Sequence, residues 1–333
     1  MNGGLAGGMP ATAPRAGRLL AGQARPGTPA AVLTVGLVNN MPDAALARTE
    51  RQFRALLSAA AGPRPLRVLP VALPGVPRGP AARAWLDNAT PAAALARADL
   101  DLLVVTGTEP RAADLRAEPY WGAMTGLLDW AEAARVTTVL SCLAAHAAVL
   151  HADGIVRRRL DDKRFGVFTH MATRPHPLTR GLPARFAVPH SRWNEVAEAD
   201  LAARGWQVLT RSAEAGADLF VRERGSLTVC FQGHPEYEPD TLAREYRRDV
   251  RRFLAGERPG YPPPPRGALA PGALPALAAF EARALATPDP ALMAEFPPLL
   301  PRLDGAAAPW RGAAATVWRN LLSSVGVDVE RHV

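Results

Sequence analysis

Lysine is almost absent from this 333-residue chain: of its 39 basic residues one, Lys163, is lysine. Arginine serves wherever a generic cation would do. The single lysine either marks a place where a compact ammonium with three rotatable donors has a use that a planar guanidinium lacks, or is a chance survival. Cysteine is scarce as well. Two residues, Cys142 and Cys230, exclude the dense disulfide framework of a small secreted domain, and a chain of this length buries a core without such staples. The expected compartment is the cytosol. No apolar run approaches the ~20 residues that a bilayer-spanning helix needs, so no membrane partner is expected. The first 30 residues hold no acidic residue and no serine, and they lack the apolar centre of a secretory signal. They suit a disordered leader, and the missing serine speaks against an organelle transit peptide.

What is present is the composition of a globular chain, 48% hydrophobic, with a formal net charge of +8. That excess is spread out. The arginines alternate with acids in helix-like runs such as LAREYRRDVRRF, and no basic block with interleaved aromatics occurs, which excludes a nucleic-acid groove. From Ala31 the chain alternates short apolar runs with helix-like ones, the pattern of an α/β fold with a mostly parallel sheet covered by helices on both faces. Strand-like runs are Val32 to Val38, Arg67 to Leu73, Leu100 to Thr106 and Val136 to Ser141. They resume at Arg185 to Pro189, Trp206 to Thr210, Leu219 to Arg222 and Leu227 to Phe231. Helix-like runs are Leu46 to Ala60, Tyr120 to Ala134 and Thr241 to Leu254. The polar stretch after Ile155 reads as a substrate-facing excursion. Residues 31–257 are thus expected to form an α/β catalytic domain. Residues 258–300, which include YPPPPRGALAPGALP, are expected to be a Pro-rich linker, and residues 301–333 a helical segment that docks back on the core.

Two local patterns carry chemistry. In TTVLSCLAAHAAVL, Cys142 stands where an apolar strand meets a small-residue helix, the context of a nucleophile elbow. The helix N-terminus beneath it offers free backbone N–H groups and a positive dipole end that favour a thiolate, and the N–H of Leu143 is placed to bind an oxyanion. In FQGHPEYEPD a strand ends before His234, Pro235 and Glu236. The residue before proline is extended, and residues two apart on an extended chain share a side, so Glu236 can orient His234 as the base for Cys142. Sites of open α/β sheets gather at the carboxyl edge, where both patterns end. The other histidines, His146, His151, His170, His176, His190 and His332, show no metal-ligand spacing, and no metal or redox cofactor is expected.

The strings VNNMPDAAL, TERQF, VVTGTEP, EPYW, the SC elbow, GVFTH, PHSRW, GHPEY and REYRRDV, with PWR and WRNLL near the end, resemble the homoserine O-acyltransferase (transsuccinylase) family in this order. The resemblance implies a class I glutamine amidotransferase-like, flavodoxin-like core. It implies acyl transfer from an acyl-CoA co-substrate to L-homoserine in methionine synthesis, through a thioester on Cys142 with His234 and Glu236 completing a triad. It also implies substrate contacts at Lys163, Ser191 and Arg248, the last suited to clamp a carboxylate, and a homodimer. Two departures stand out. The stretch between Pro42 and Thr49 differs in length from the family's lysine-containing loop, and Arg111 occupies the position where the family sets succinyl against acetyl preference. An arginine there could pair with a succinyl carboxylate, or point to solvent. Two rivals remain: a cysteine hydrolase or glutamine amidotransferase, although SCLAA lacks the flanking glycines of their G-x-C-x-G elbow, and a binding protein that kept the fold and lost the chemistry.

Overall fold

The computed structural model describes residues 32–299 and 308–325, so the leader expected over residues 1–30 lies outside the described residues. In chain order the first half holds β1 (Leu33–Val38), α1 (Asp43–Ala61), β2 (Leu66–Ala72), α2 (Arg83–Leu86), β3 (Thr90–Pro91), β4 (Leu102–Val105), α3 (Trp121–Ala133), β5 (Thr137–Ser141) and α4 (Leu143–Asp153). The second half holds β6 (Arg158–Ala172), β7 (Phe186–Glu195), α5 (Glu198–Ala203), β8 (Gln207–Val208), β9 (Thr210–Ser212), β10 (Gly216–Ala217), β11 (Leu219–Arg224), β12 (Ser226–Phe231), α6 (Thr241–Leu254), α7 (Leu274–Ala286) and α8 (Arg311–Ser324).

Eight strands form one sheet in the order β3-β2-β1-β4-β5-β12-β11-β8. The pairings from β3 through β12 are parallel, and β11 runs antiparallel to both of its neighbours. The central strands are apolar on both sides because both sides are covered. In β4, Leu103 and Val105 face α3 and α4 together with Met124, Leu127 and Val149, whereas Leu102 and Val104 face α1 and α8 with Phe53, Leu57 and Trp318. Trp318 is fully buried against Phe53 and Phe231, so the C-terminal helix is a part of the sheet's cover.

The polar stretch after Ile155 leaves the main sheet and builds a second one. There β6 pairs with β7 over most of its 15 residues, in the order β10-β9-β6-β7. Its arginines and acids obscured the alternation, although Phe165 and Val167 pack toward α6 and α7 on one face and Phe186 and Val188 toward Ala313 of α8 on the other. The Pro-rich stretch also departs from expectation. Within it α7 buries Leu277, Phe280 and Ala284 against α6 and Phe296, and the Arg266 backbone bonds to Phe165 and Val167 of β6. Prolines flank that helix and sit in its first turn, where a missing N–H costs nothing, so the segment is packed rather than extended.

Candidate active site

The parallel register of β5 and β12 sets Leu140 beside Cys230 and Ser141 beside Phe231. The chain leaving β12 is therefore brought beside Cys142, the residue after Ser141. Cys142 has φ 53° and ψ −111°, a conformation that a residue with a Cβ adopts only under constraint, at a cost of about 1–3 kcal/mol. Its N–H donates to the Phe231 carbonyl at 2.7 Å, and its carbonyl accepts from His146 N–H at 3.2 Å. The turn is thus tied to β12 on one side and to α4 on the other. Leu143 begins α4, so its N–H has no partner within the helix. Gly107, in the loop after β4, presses on this turn: a Cβ there would stand 3.0 Å from Leu143 N and 3.2 Å from the Ser141 carbonyl oxygen. That loop is held in turn by the buried Asn40, whose amide donates to the Thr106 carbonyl at 3.1 Å.

On the β12 side, Gln232 and Gly233 lead into His234. A Cβ on Gly233 would lie 2.6 Å from Val188 Cγ1, 2.9 Å from Asp218 Oδ1 and 3.0 Å from His190 Cε1, so only glycine passes. Gly233 N–H donates to Asp218 at 2.7 Å, and His234 N–H donates to the Pro189 carbonyl at 2.9 Å. The imidazole is clamped as firmly as its backbone. Nδ1 donates to Glu236 Oε1 at 2.8 Å, the ring stacks on Tyr237 at 4.3 Å, and the side chain hydrogen-bonds the Cys142 thiol. Burial by itself would lower the His234 pKa. The negative charge of Glu236 and the hydrogen bonds to Cys142 and Glu236 outweigh it and raise the ring well above its ordinary value. The structure thus brings Cys142, His234 and Glu236 together in hydrogen-bonding order at the carboxyl edge of the sheet.

The three residues expected to contact substrate also meet, through two carboxylates on α6. Ser191 Oγ and Tyr237 hydroxyl each donate to Glu245 at 2.5 Å. Lys163 Nζ donates to Asp249 at 3.0 Å, stands 4.0 Å from Glu245, and lies 4.0 Å from the Phe165 ring centre. Arg248 pairs with Asp249 at 2.8 Å while its side chain stays 40% exposed. Burial pushes the Asp249 carboxyl up, but the charges of Lys163 and Arg248 and their hydrogen bonds leave it below its usual range. Glu245, Asp249 and Tyr237 were not singled out from the sequence. The signal was available, since Glu245 and Asp249 stand four apart and share a helix face with Arg248 and Arg252.

Arg111 has an exposed side chain, and its backbone N–H donates to Glu118 at 2.5 Å. His146, one turn below Cys142, hydrogen-bonds Gln232 at 3.0 Å, and burial lowers its pKa to about 3, so it is a neutral core residue. Cys230 is fully buried in β12, where desolvation pushes its thiol far up. Among the described residues no group of three or more His, Cys, Asp or Glu is arranged to hold a metal ion, and no helix is long and apolar enough to cross a membrane.

Comparison with known proteins bears on the fold and on the family. A glutamine amidotransferase from Methylobacillus flagellatus superposes with a TM-score of 0.52 over 91% of this chain and 99% of its own, at 15% identity, a likeness of fold alone. The homoserine O-succinyltransferase of Methylorubrum extorquens is 53% identical over 295 residues, 88% of this chain and 87% of its own. That of Rhodopseudomonas palustris is 49% identical over 300 residues, 90% of each. The family model described as homoserine O-succinyltransferase matches residues 22–328. With a model that spans most of the chain and relatives this similar over nearly their whole length, the chain belongs to the homoserine O-succinyltransferase family.

Proposed function

We propose that this chain transfers a succinyl group from succinyl-CoA to the hydroxyl of L-homoserine, in methionine biosynthesis, through a thioester on Cys142. The observation that carries the mechanism is the hydrogen-bonded series Cys142, His234, Glu236 at a strained strand-to-helix turn, with a free N–H at Leu143. The names of the relatives support the substrates.

In the first half-reaction the Cys142 thiolate attacks the thioester carbonyl. The oxyanion forms against Leu143 N–H beside the Gly107 loop, the bond to coenzyme A sulfur breaks, and the coenzyme A thiolate takes the proton held by His234. In the second, the homoserine hydroxyl gives its proton to His234 and attacks the acyl carbon. The carbon to Sγ bond then breaks and the Cys142 thiolate returns. Arg248, partly exposed and planar, suits the amino-acid carboxylate, while Glu245 and Asp249 face its ammonium group. Lys163 stands between those two acids, 3.0 Å from Asp249 and 4.0 Å from Glu245, a place that suits a compact cation. The reading carries a homodimer in the cytosol, where thiols stay reduced.

The test is product formation. Purified enzyme with succinyl-CoA and L-homoserine should release coenzyme A and form O-succinylhomoserine, and Cys142→Ala should abolish both. Ammonia release from glutamine, with no coenzyme A released, would move the assignment to an amidotransferase.

A further inference from the structure

Tyr237 is joined to the base of the triad at one end and to the carboxylates of α6 at the other. Its ring lies parallel to the His234 imidazole, with ring centres 4.3 Å apart and planes 16° from each other. Its hydroxyl donates to Glu245 Oε1 at 2.5 Å, while Glu245 Oε2 accepts from Ser191 Oγ at 2.5 Å and stands 4.0 Å from Lys163 Nζ. The backbone holds the ring in place. Tyr237 N–H donates to the His234 carbonyl at 3.2 Å, and the Tyr237 carbonyl accepts from Trp310 Nε1 at 2.9 Å. Burial and the charges of Glu245 and Glu236 push the phenol well above its ordinary value, so it remains a hydrogen-bond donor across the working pH range.

A cation over an aromatic face is attracted by the ring's electrons, and a phenol whose proton is shared with a carboxylate has more electron density to offer. Tyr237 thus supports the imidazolium form of His234, and Glu245 strengthens that support. The other groups around the imidazole respond less to an incoming acceptor. Glu236 is committed to Nδ1 at 2.8 Å, and Asp218, just before β11, to the Gly233 N–H at 2.7 Å. His190 of β7 is uncharged, because its Nδ1 accepts from Arg192 Nε at 3.3 Å and burial holds its pKa down. Cys142 bears a negative charge only while it is free, since a thioester has none. The two half-reactions ask opposite things of His234: expulsion of coenzyme A needs the imidazolium, and activation of the homoserine hydroxyl needs the neutral ring. After acylation, Glu236 still draws a proton from solvent back onto the ring.

We infer that Tyr237 is a positioning residue through which the ammonium group of the acceptor, on reaching Glu245, turns His234 from the acid of the first half-reaction into the base of the second. This rests on the acyl-transfer reading of the site and on the acceptor placement given with it. A cation beside Glu245 offsets the charge of that carboxylate, the phenol is polarised less, and the imidazolium on its face loses part of its stabilisation. The ring returns its proton to solvent, takes the proton of the homoserine hydroxyl as that oxygen attacks the acyl carbon, and ends as the imidazolium beside the released Cys142 thiolate.

The experiment forms the succinyl-enzyme by brief mixing of the whole chain with succinyl-CoA and follows its discharge across pH by two acceptors. One is L-homoserine and the other 4-hydroxybutyrate, which has the same hydroxyl and carboxylate but no ammonium group. Discharge slows as pH falls through the pKa of the base. In the wild type the limb for homoserine should lie roughly one pH unit below that for 4-hydroxybutyrate, about what a desolvated cation over an aromatic face contributes. Where 4-hydroxybutyrate does not discharge the enzyme, hydrolysis by water supplies the limb without an ammonium group. Tyr237→Phe keeps the ring over the imidazole and loses the bond to Glu245, and Glu245→Gln keeps that bond and loses the charge, so in both variants the two limbs should coincide. If Tyr237→Phe does not fold, Glu245→Gln decides alone. Coincident limbs in the wild type, or limbs that stay apart in either variant, would overturn the inference and leave acyl transfer standing. Absence of a succinyl-enzyme in the wild type would overturn the reading on which it rests.

Discussion

Replacing Glu236 by glutamine removes one charge from the site and little else. The side chains of His234 and Glu236 are 10% and 5% exposed and meet at 2.8 Å, and Glu236 Oε2 has no partner, so an amide nitrogen can take its place without breaking a bond. The amide oxygen still accepts from Nδ1, and the tautomer of the ring is kept. What is lost is the negative charge that offsets burial of the imidazole and holds its pKa well above the ordinary value. A hydrogen bond to a charged group contributes about 1.5–3 kcal/mol, which corresponds to roughly 10- to 150-fold in rate if it acts in the transition state. Stopped-flow acylation by succinyl-CoA, measured across pH, should show a fall of this size. The sign of the pH effect comes from the shift. His234 must be protonated to deliver a proton to the departing coenzyme A, so activity is lost as pH rises through its raised folded pKa, and in Glu236→Gln that alkaline limb moves to lower pH. A variant within twofold of wild type, with the limb unmoved, would refute the reasoning.

Gly233→Ala forces a Cβ to within 2.6 Å of Val188 and 2.9 Å of Asp218, so it should cost about 1–3 kcal/mol in denaturant unfolding and slow acylation by more than that loss of stability explains, because His234 is the next residue. Lys163→Met leaves the buried Asp249 with Arg248 and Arg258 as cations, and steady-state kinetics should show a rise of about tenfold in KM for homoserine that exceeds any slowing of acylation. His146, with a folded pKa of about 3 against 6.5 unfolded, binds its proton only after unfolding in that window. Stability should therefore fall as pH drops from 6.5 toward 3, by up to ~4 kcal/mol from this residue, and His146→Gln should flatten the dependence in urea titrations at a series of pH values.

Much of the sheet was legible because the central strands β1, β4 and β5 are covered on both faces and so read as apolar runs. α6 was legible because its apolar stripe, from Leu242 through Tyr246 and Val250 to Leu254, repeats at helical spacing. β6 was not, since its charged run, Arg158, Arg159, Asp161, Asp162, Lys163 and Arg164, hides the alternation. The helix at Leu274–Ala286 was hidden by its flanking prolines, which mark irregular chain in most contexts and here mark helix starts. Cys142, His234 and Glu236 could be picked out because the chemistry depends on local features, an elbow and a pre-proline histidine at strand ends. Glu245, Asp249 and Tyr237 could not. Carboxylates on an amphipathic helix look solvated.

The most direct measurement is intact mass of the protein after brief exposure to succinyl-CoA without acceptor, then after addition of L-homoserine. A gain of one succinyl group that maps to Cys142, is absent in Cys142→Ala and disappears when homoserine is added is the expected result. Product formed at full rate by Cys142→Ala, or a mass gain on wild type that homoserine leaves in place, would contradict a thioester on the reaction path.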